Sequence, residues 1–116
     1  MPLLQFEKKR YIFLGYQRNG FLDFLKFKSI LLSLAKSFIL EKDVIIDVLK
    51  NGPLTEWELS ALCIMIKRMQ GTQQQLKILA DESTILKIES INQPWTTNVS
   101  LYSNMHSFVE KTVNQK

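Results

Sequence analysis

The chain has 116 residues, 46% of them apolar, so it can bury one substantial core and is predicted to form a single domain over residues 1–116. Lysine and arginine exceed aspartate and glutamate by only four, 15 against 11, and this scattered excess indicates a solvated surface rather than a nucleic-acid or anionic-membrane footprint. No stretch reaches the roughly 18 uncharged apolar residues of a membrane span, and one cysteine cannot form an internal disulfide, so we expect a cytoplasmic protein.

The first third of the chain predicts a hairpin and then a helix. Apolar and aromatic residues flank a charged stretch, Glu7-Lys8-Lys9-Arg10, which suits two short strands within residues 4–16. Gln17-Arg18-Asn19-Gly20 then breaks the pattern with turn-forming residues. From residue 24 to residue 38 apolar side chains recur at spacings of three and four, which predicts an amphipathic helix with Asp23 just before it as a cap.

The middle of the chain predicts a strand–helix–strand unit. Residues 44–49 are apolar and largely β-branched, which is typical of a central parallel strand covered on both faces. Pro53 ends the strand pairing, and Thr55 and Glu58 have the spacing of a capping box that opens a helix. A second strand is predicted over residues 76–80. The helix between them is expected to end at Gly71 and to carry an apolar stripe of Leu59, Leu62, Cys63, Ile66 and Met69, in which Cys63 is a small core residue.

The last third predicts a helix, a strand and a final helix. Asp81-Glu82-Ser83 offers caps for a helix that carries Ile85, Leu86, Ile88 and Ile91 and ends at Pro94. Residues 99–102 suit a short last strand, and Ser103 or Asn104 could cap a closing helix. Trp95 is expected to lie over the core.

Three short segments match the pattern of a known family. They are Gly20-Phe21-Leu22-Asp23 before the first helix, Ile45-Ile46-Asp47-Val48 in the central strand, and Pro53-Leu54-Thr55-Glu56-Trp57-Glu58-Leu59 where the second helix opens. With the order of elements, they resemble the STAS domain, the family of anti-sigma factor antagonists and related modules of transporters and signalling complexes. The resemblance implies an α/β fold with a mixed four- to five-stranded central sheet and about four helices. Gln17-Arg18-Asn19 lengthens the connection before Gly20 relative to the family pattern.

The start of the second helix departs from the phosphorylated members of that family. Those members carry a serine after an aspartate at this point, and a kinase partner phosphorylates the serine to exchange one protein complex for another. Here Thr55 replaces the aspartate and Glu56 replaces the serine, so the usual phosphoacceptor is missing. Glu56 is either a favourable acid in the first turn of a helix or a residue that holds the turn in a permanently phosphate-like state. Thr55 is expected to cap the helix rather than to accept phosphate.

We expect the turn and helix start at residues 54–63 to bind a protein partner. Trp57 is a large aromatic residue in the first turn of a surface helix, and it either anchors an interface or packs over the edge of the sheet. The resemblance implies that the partner is an anti-sigma factor or kinase-like protein, or alternatively the ATPase subunit of a transporter or a larger signalling assembly, and it allows a homodimer. The candidate contact residues are Leu54, Thr55, Glu56, Trp57, Glu58 and Ser60.

The sequence contains no recognisable motif of a catalytic, metal-binding or phosphate-binding site. The single histidine, His106, has no carboxylate or thiol near it in the sequence, and there is no metal-ligand spacing, phosphate-cradling glycine loop or nucleophile elbow. Asp23, Asp47 and Asp81 fall near element ends, where carboxylates cap backbone groups more often than they bind a cation. We therefore expect no catalytic residue, metal or cofactor. A weaker alternative is a nucleic-acid-binding module that uses Lys8, Lys9 and Arg10 with Tyr11 and Phe13.

Overall fold

The computed structural model describes residues 3–8, 10–36, 42–70, 72–91, 98–104, 106 and 108. The elements in chain order are β1 (Leu3–Glu7), β2 (Tyr11–Tyr16), α1 (Phe21–Ala35), β3 (Asp43–Asp47), a 3₁₀ helix (Leu49–Asn51), α2 (Glu56–Met69), β4 (Leu76–Leu79), α3 (Glu82–Ile91) and β5 (Val99–Tyr102). The predicted hairpin, central strand–helix–strand unit and last strand are all confirmed.

The five strands form one mixed sheet in the order β1-β2-β3-β4-β5. β1 pairs with β2 in antiparallel fashion, and each later pair is parallel. β3 is therefore the central strand, as predicted. Each parallel crossover moves one strand further in the same direction, and right-handed crossovers of this kind place α1, α2 and α3 on one face.

The main core lies between that face and the three helices. Phe27 and Leu31 of α1, Leu62 and Ile66 of α2 and Ile88 of α3 pack in one cluster with alternate residues of the strands. The strand residues of this cluster include Leu14, Val44, Ile46, Leu76 and Ile78.

A smaller cluster lies on the opposite face of the sheet. Ile45, Leu79 and Tyr102 are buried there, and the ring of Phe108 meets that of Tyr102 edge-on at 5.4 Å between centroids. Because Val44 and Ile46 are fully buried on the helix face and Ile45 is only 9% exposed on the other, the prediction that β3 is covered on both faces is confirmed.

Two predicted boundaries were wrong. α1 begins at Phe21 rather than after Asp23, because Gly20 is the N-cap and its carbonyl accepts the first helical bond, from the N–H of Phe24 at 3.4 Å. The central strand ends at Asp47 rather than at Leu49, because the carboxylate of Asp47 accepts a hydrogen bond from the Leu49 N–H at 3.1 Å and the chain turns into the 3₁₀ helix.

Several other predictions have a mixed outcome. Cys63 is half-buried rather than part of the core. The described residues contain three α-helices where about four were predicted. The N–H of Phe108 donates to the carbonyl of Asn104, but most residues of the predicted closing helix lie outside the described residues, as do Phe38, Gly71, Pro94 and Trp95. Within the described ranges, no helix has the length and apolar character needed to cross a membrane.

Candidate functional site

The candidate site begins with the turn between β3 and α2. Asn51 ties this turn to the end of β2, because its side-chain amide donates to the carbonyl of Tyr16 at 2.9 Å and to that of Val48 at 3.1 Å, while its oxygen accepts the Arg18 N–H. Gly52 follows with φ 64° and ψ −146°, a backbone conformation that essentially only glycine adopts without strain. The turn is thus held from two sides before α2 starts.

The capping box predicted for α2 is confirmed. The hydroxyl of Thr55 accepts a hydrogen bond from the N–H of Glu58 at 3.3 Å, and the carboxylate of Glu58 accepts one from the N–H of Thr55 at 2.8 Å. Two N–H groups that a helix start leaves unpaired are satisfied in this way.

Glu58 also receives three hydrogen bonds from residues far away in the sequence. The hydroxyl of Tyr16 donates to Oε2 at 2.7 Å, and the guanidinium of Arg18 donates to both oxygens, to Oε2 at 3.1 Å and to Oε1 at 2.6 Å. Arg18 additionally donates to the carbonyl of Pro53 at 3.3 Å. We call Tyr16, Arg18, Thr55 and Glu58 the Glu58 network; it joins the end of β2, the β2–α1 connection and the start of α2.

The network sets the protonation of its members. Burial by itself would raise the pKa of Glu58, but the hydrogen bonds from Arg18, from the backbone and hydroxyl of Thr55, and from Tyr16 outweigh it and hold that pKa below its usual value. Burial and the neighbouring carboxylate raise the pKa of the Tyr16 hydroxyl. The hydrogen bond to Glu58 raises the pKa of Arg18. The site therefore contains an ionised carboxylate paired with a guanidinium and a neutral phenol.

A separate bond joins the turn to α3. Thr84 is fully buried, and its hydroxyl accepts a hydrogen bond from the N–H of Leu54 at 3.0 Å. Leu54 itself is 4% exposed and belongs to the main core.

The structure narrows the set of candidate contact residues. Leu54 and Glu58 are only 4% and 2% exposed, so their side chains offer no area to a partner and instead build the site from inside. The four that remain at the surface are Thr55, Glu56, Trp57 and Ser60. Trp57 is 72% exposed, so the interpretation that it packs over the sheet edge is wrong.

An apolar surface that the sequence pattern does not predict lies next to Trp57. Phe21 and Leu22, at the start of α1, are 70% and 73% exposed. Phe21, Phe24 and Trp57 line one groove of about 390 Å³ together with Arg18 and the capping residues. The signal in the sequence is the apolar pair Phe21-Leu22 itself, which precedes the helix if Asp23 is its cap.

A second groove lies between α2 and α3 and has a volume of about 480 Å³. Leu59, Ser60, Cys63 and Ile64 of α2 line it together with Ile91 of α3. Glu56 belongs to this groove as well, so the two grooves flank the first turn of α2.

Two of the three aspartates predicted near element ends accept hydrogen bonds from backbone N–H groups. Asp47 accepts the N–H of Leu49, and Asp81 accepts the N–H of Ser83 at 3.1 Å. In the part of the chain that the structure describes, no group of three or more histidine, cysteine, aspartate or glutamate side chains is arranged to hold a metal ion.

Comparison with known proteins gives a structural match and no sequence match. No protein-family model matches the chain, and no curated protein matches it in sequence. Among solved structures, RsbS of Moorella thermoacetica, in a variant with glutamate in place of a serine, superposes with a TM-score of 0.70 at 11% identity, covering 98% of this chain and 97% of that one. The five-stranded mixed sheet and its helices therefore have the STAS fold of RsbS.

Proposed function

We propose that the protein is a non-catalytic regulator of the anti-sigma factor antagonist type, which binds a protein partner through the exposed start of α2. The observation that carries this proposal is the position of Trp57, which is 72% exposed on the first turn of a helix whose start is fixed by the Glu58 network. The likeness to RsbS supports the class of regulator.

The rigidity of the helix start supports a binding role on physical grounds. A partner that binds a mobile segment loses free energy to its ordering, whereas a preorganised surface avoids that loss. Here the capping box, the Arg18–Glu58 ion pair and the bond from Leu54 to Thr84 fix the backbone beneath Trp57 before any partner arrives. Large aromatic residues held in this way are typical anchors of interfaces.

Glu56 is the residue on which the regulatory part of the proposed function depends. Its side chain is exposed at the N-terminal end of α2, where the helix dipole and unpaired N–H groups favour negative charge. We propose that Glu56 keeps the turn in a phosphate-like state, so that the protein holds one partner permanently. RsbS was itself solved with glutamate in place of a serine, which is the same chemical replacement that the family resemblance assigns to Glu56.

The first experiment is affinity purification from the native cell with mass spectrometry, using the wild type, Trp57→Ala and Leu86→Ala. Leu86 is the matched control, because it is an exposed apolar residue, 68% exposed, on a different helix. We expect the wild type and Leu86→Ala to capture an anti-sigma factor or related kinase, and Trp57→Ala to bind it roughly 30-fold more weakly, the effect of a 2 kcal/mol anchor. Equal capture by all three variants, with circular dichroism showing intact folds, would contradict the proposed surface.

The same purified partner tests the role of Glu56. Glu56→Ser restores a phosphoacceptor, so its complex with a kinase partner is expected to become sensitive to ATP, while the wild-type complex is insensitive. Glu56→Ala removes the charge without supplying a hydroxyl and separates the two effects. If Glu56→Ser binds the partner as the wild type does, with and without ATP, then Glu56 is only a favourable first-turn acid.

A further inference from the structure

The groove between α2 and α3 is bounded on one side by a regular stripe of α2. Six residues of that helix line it at steps of three and four positions, so they form one face over three turns. They are Glu56, Leu59, Ser60, Cys63, Ile64 and Lys67. With a rise of about 1.5 Å per residue, the stripe is about 16 Å long.

The middle of this face is apolar and partly open to solvent. Ile64 is 37% exposed and Ile91, across the groove, is 58% exposed, although both are large aliphatic side chains. Neighbouring apolar side chains that remain accessible on a helix pair are typical of a surface that another helix covers.

The two ends of the stripe carry opposite charges. Glu56 is its first residue and Lys67 its last, and both side chains are exposed. If a second α2 lies antiparallel on this face, the Glu56 of each helix meets the Lys67 of the other, and the apolar middle sections meet each other. The face is thus complementary in charge and in apolar pattern to a copy of itself turned by 180°, which is the requirement for a two-fold interface.

We infer that this face binds a second copy of the same chain, with the two α2 helices antiparallel about a two-fold axis near Ser60 and Cys63. The inference does not rest on the proposed function. Where both hold, dimerisation and partner binding exclude each other, because Glu56 and Ser60 belong to both surfaces.

Charge reversal tests the pairing directly. Sedimentation equilibrium of the full chain is expected to show a dimer, and Glu56→Lys and Lys67→Glu are each expected to raise the dissociation constant at least tenfold, because a two-fold interface contains each pair twice. The double variant Glu56→Lys/Lys67→Glu restores opposite charges and should recover most of the affinity. Lys36→Glu, an equal charge change at the exposed end of α1, is the control and should leave the dimer intact.

Circular dichroism of each variant distinguishes a lost dimer from a lost fold. A monomer at all concentrations overturns the inference, and so does a dimer that the single reversals leave unchanged or the double variant fails to rescue. These measurements use no other protein, so their failure would leave the proposed partner binding of Trp57 unaffected.

Cross-linking provides a test that does not depend on the charge variants. In a Cys63→Ala background, Ser60→Cys places one thiol near the expected axis and Ser29→Cys places one on the exposed side of α1. A short bismaleimide is expected to give a covalent dimer with the first variant and monomer with the second. Cross-linking through the α1 position alone would assign the dimer to α1 and overturn the inference.

Discussion

A carboxylate that is 2% exposed is tolerated in a folded protein only when its oxygens are fully paired, and Glu58 meets that condition with four donors. Three of them come from Tyr16 and Arg18, in and after β2, and the fourth is the N–H of Thr55. Removing the charge of Glu58 should therefore lower the free energy of unfolding by a large amount for a change of one side-chain atom.

Glu58→Gln is expected to lower the free energy of unfolding by about 2 kcal/mol, because the charge-assisted bonds weaken and the amide can no longer accept at both ends. The loss is not larger because the Arg18 side chain is 39% exposed and water screens part of the ion pair. Urea denaturation followed by circular dichroism measures it. The matched control is Glu56→Gln, the same change at an exposed position two residues away, which should cost at most about 1 kcal/mol; equal losses in the two variants would contradict this account.

At the scale of single residues, the sequence predicted only those bonds of the Glu58 network that join residues close together in the chain. Thr55 and Glu58 are three residues apart and follow a rule of helix starts, so their reciprocal bonds could be predicted. Tyr16 and Arg18 are separated from Glu58 by 42 and 40 residues, and no local pattern shows that β2 and α2 bring them together. For the same reason Glu58 was expected at the partner surface and lies beneath it.

At the scale of elements, the start of α2 is the best-defined local structure of the site. Its N-cap, Thr55, has extended backbone angles, and its first turn contains two acids, Glu56 and Glu58, as the helix dipole favours. The last turn contains Lys67 and Arg68, whose positive charges the helix dipole favours at the C-terminal end. The sequence predicted this helix correctly because each of these signals is local.

Thr55→Ala is expected to destabilise the protein by about 1 kcal/mol, since the Glu58 N–H loses its acceptor. Thr55→Ser keeps a hydroxyl at the same place and should lie within about 0.5 kcal/mol of the wild type. Thermal or urea unfolding measures both variants. If serine is as damaging as alanine, the stabilising group is the methyl of Thr55 and the capping bond contributes little.

The start of α1 shows how an element can be predicted and its boundary missed. Gly20 has φ 142°, a conformation outside the usual range of other residues, and this lets the helix begin at Phe21. Asp23 lies within the first turn instead of before it. The sequence favoured Asp23 because aspartate is a common cap, and that shift of two residues concealed the exposed Phe21 beside Trp57.

On the scale of the whole molecule, the strand order follows from rules that the sequence makes visible. Alternating strands and helices with short connections predict parallel neighbours, and the apolar run of β3 predicts its central place. These rules do not predict how β2, the β3–α2 turn and α3 contact one another at one end of the sheet. Asn51, Arg18 and Thr84 make that junction through side-chain hydrogen bonds to backbone or side-chain atoms that are distant in the sequence.

The junction gives the stability of the whole molecule a dependence on pH that can be assigned to one residue. The pKa of Glu58 is lowered in the folded protein, whereas in the unfolded chain it is near the ordinary value of about 4.3. Its contribution to stability is therefore fully present above that value and is lost as the pH falls through the lower folded pKa, since protonation replaces an acceptor of the Arg18 bonds with a neutral acid.

The measurement is the difference in free energy of unfolding between the wild type and Glu58→Gln over a pH series from about 7 to about 3, which cancels the carboxylates that both proteins share. We expect the difference to be constant above about pH 5 and to shrink steadily below about pH 4, because the protonated glutamate and the glutamine are then both neutral. A difference for Glu58→Gln that stays constant or grows toward low pH would mean that the ionised carboxylate is not what holds β2 and α2 together.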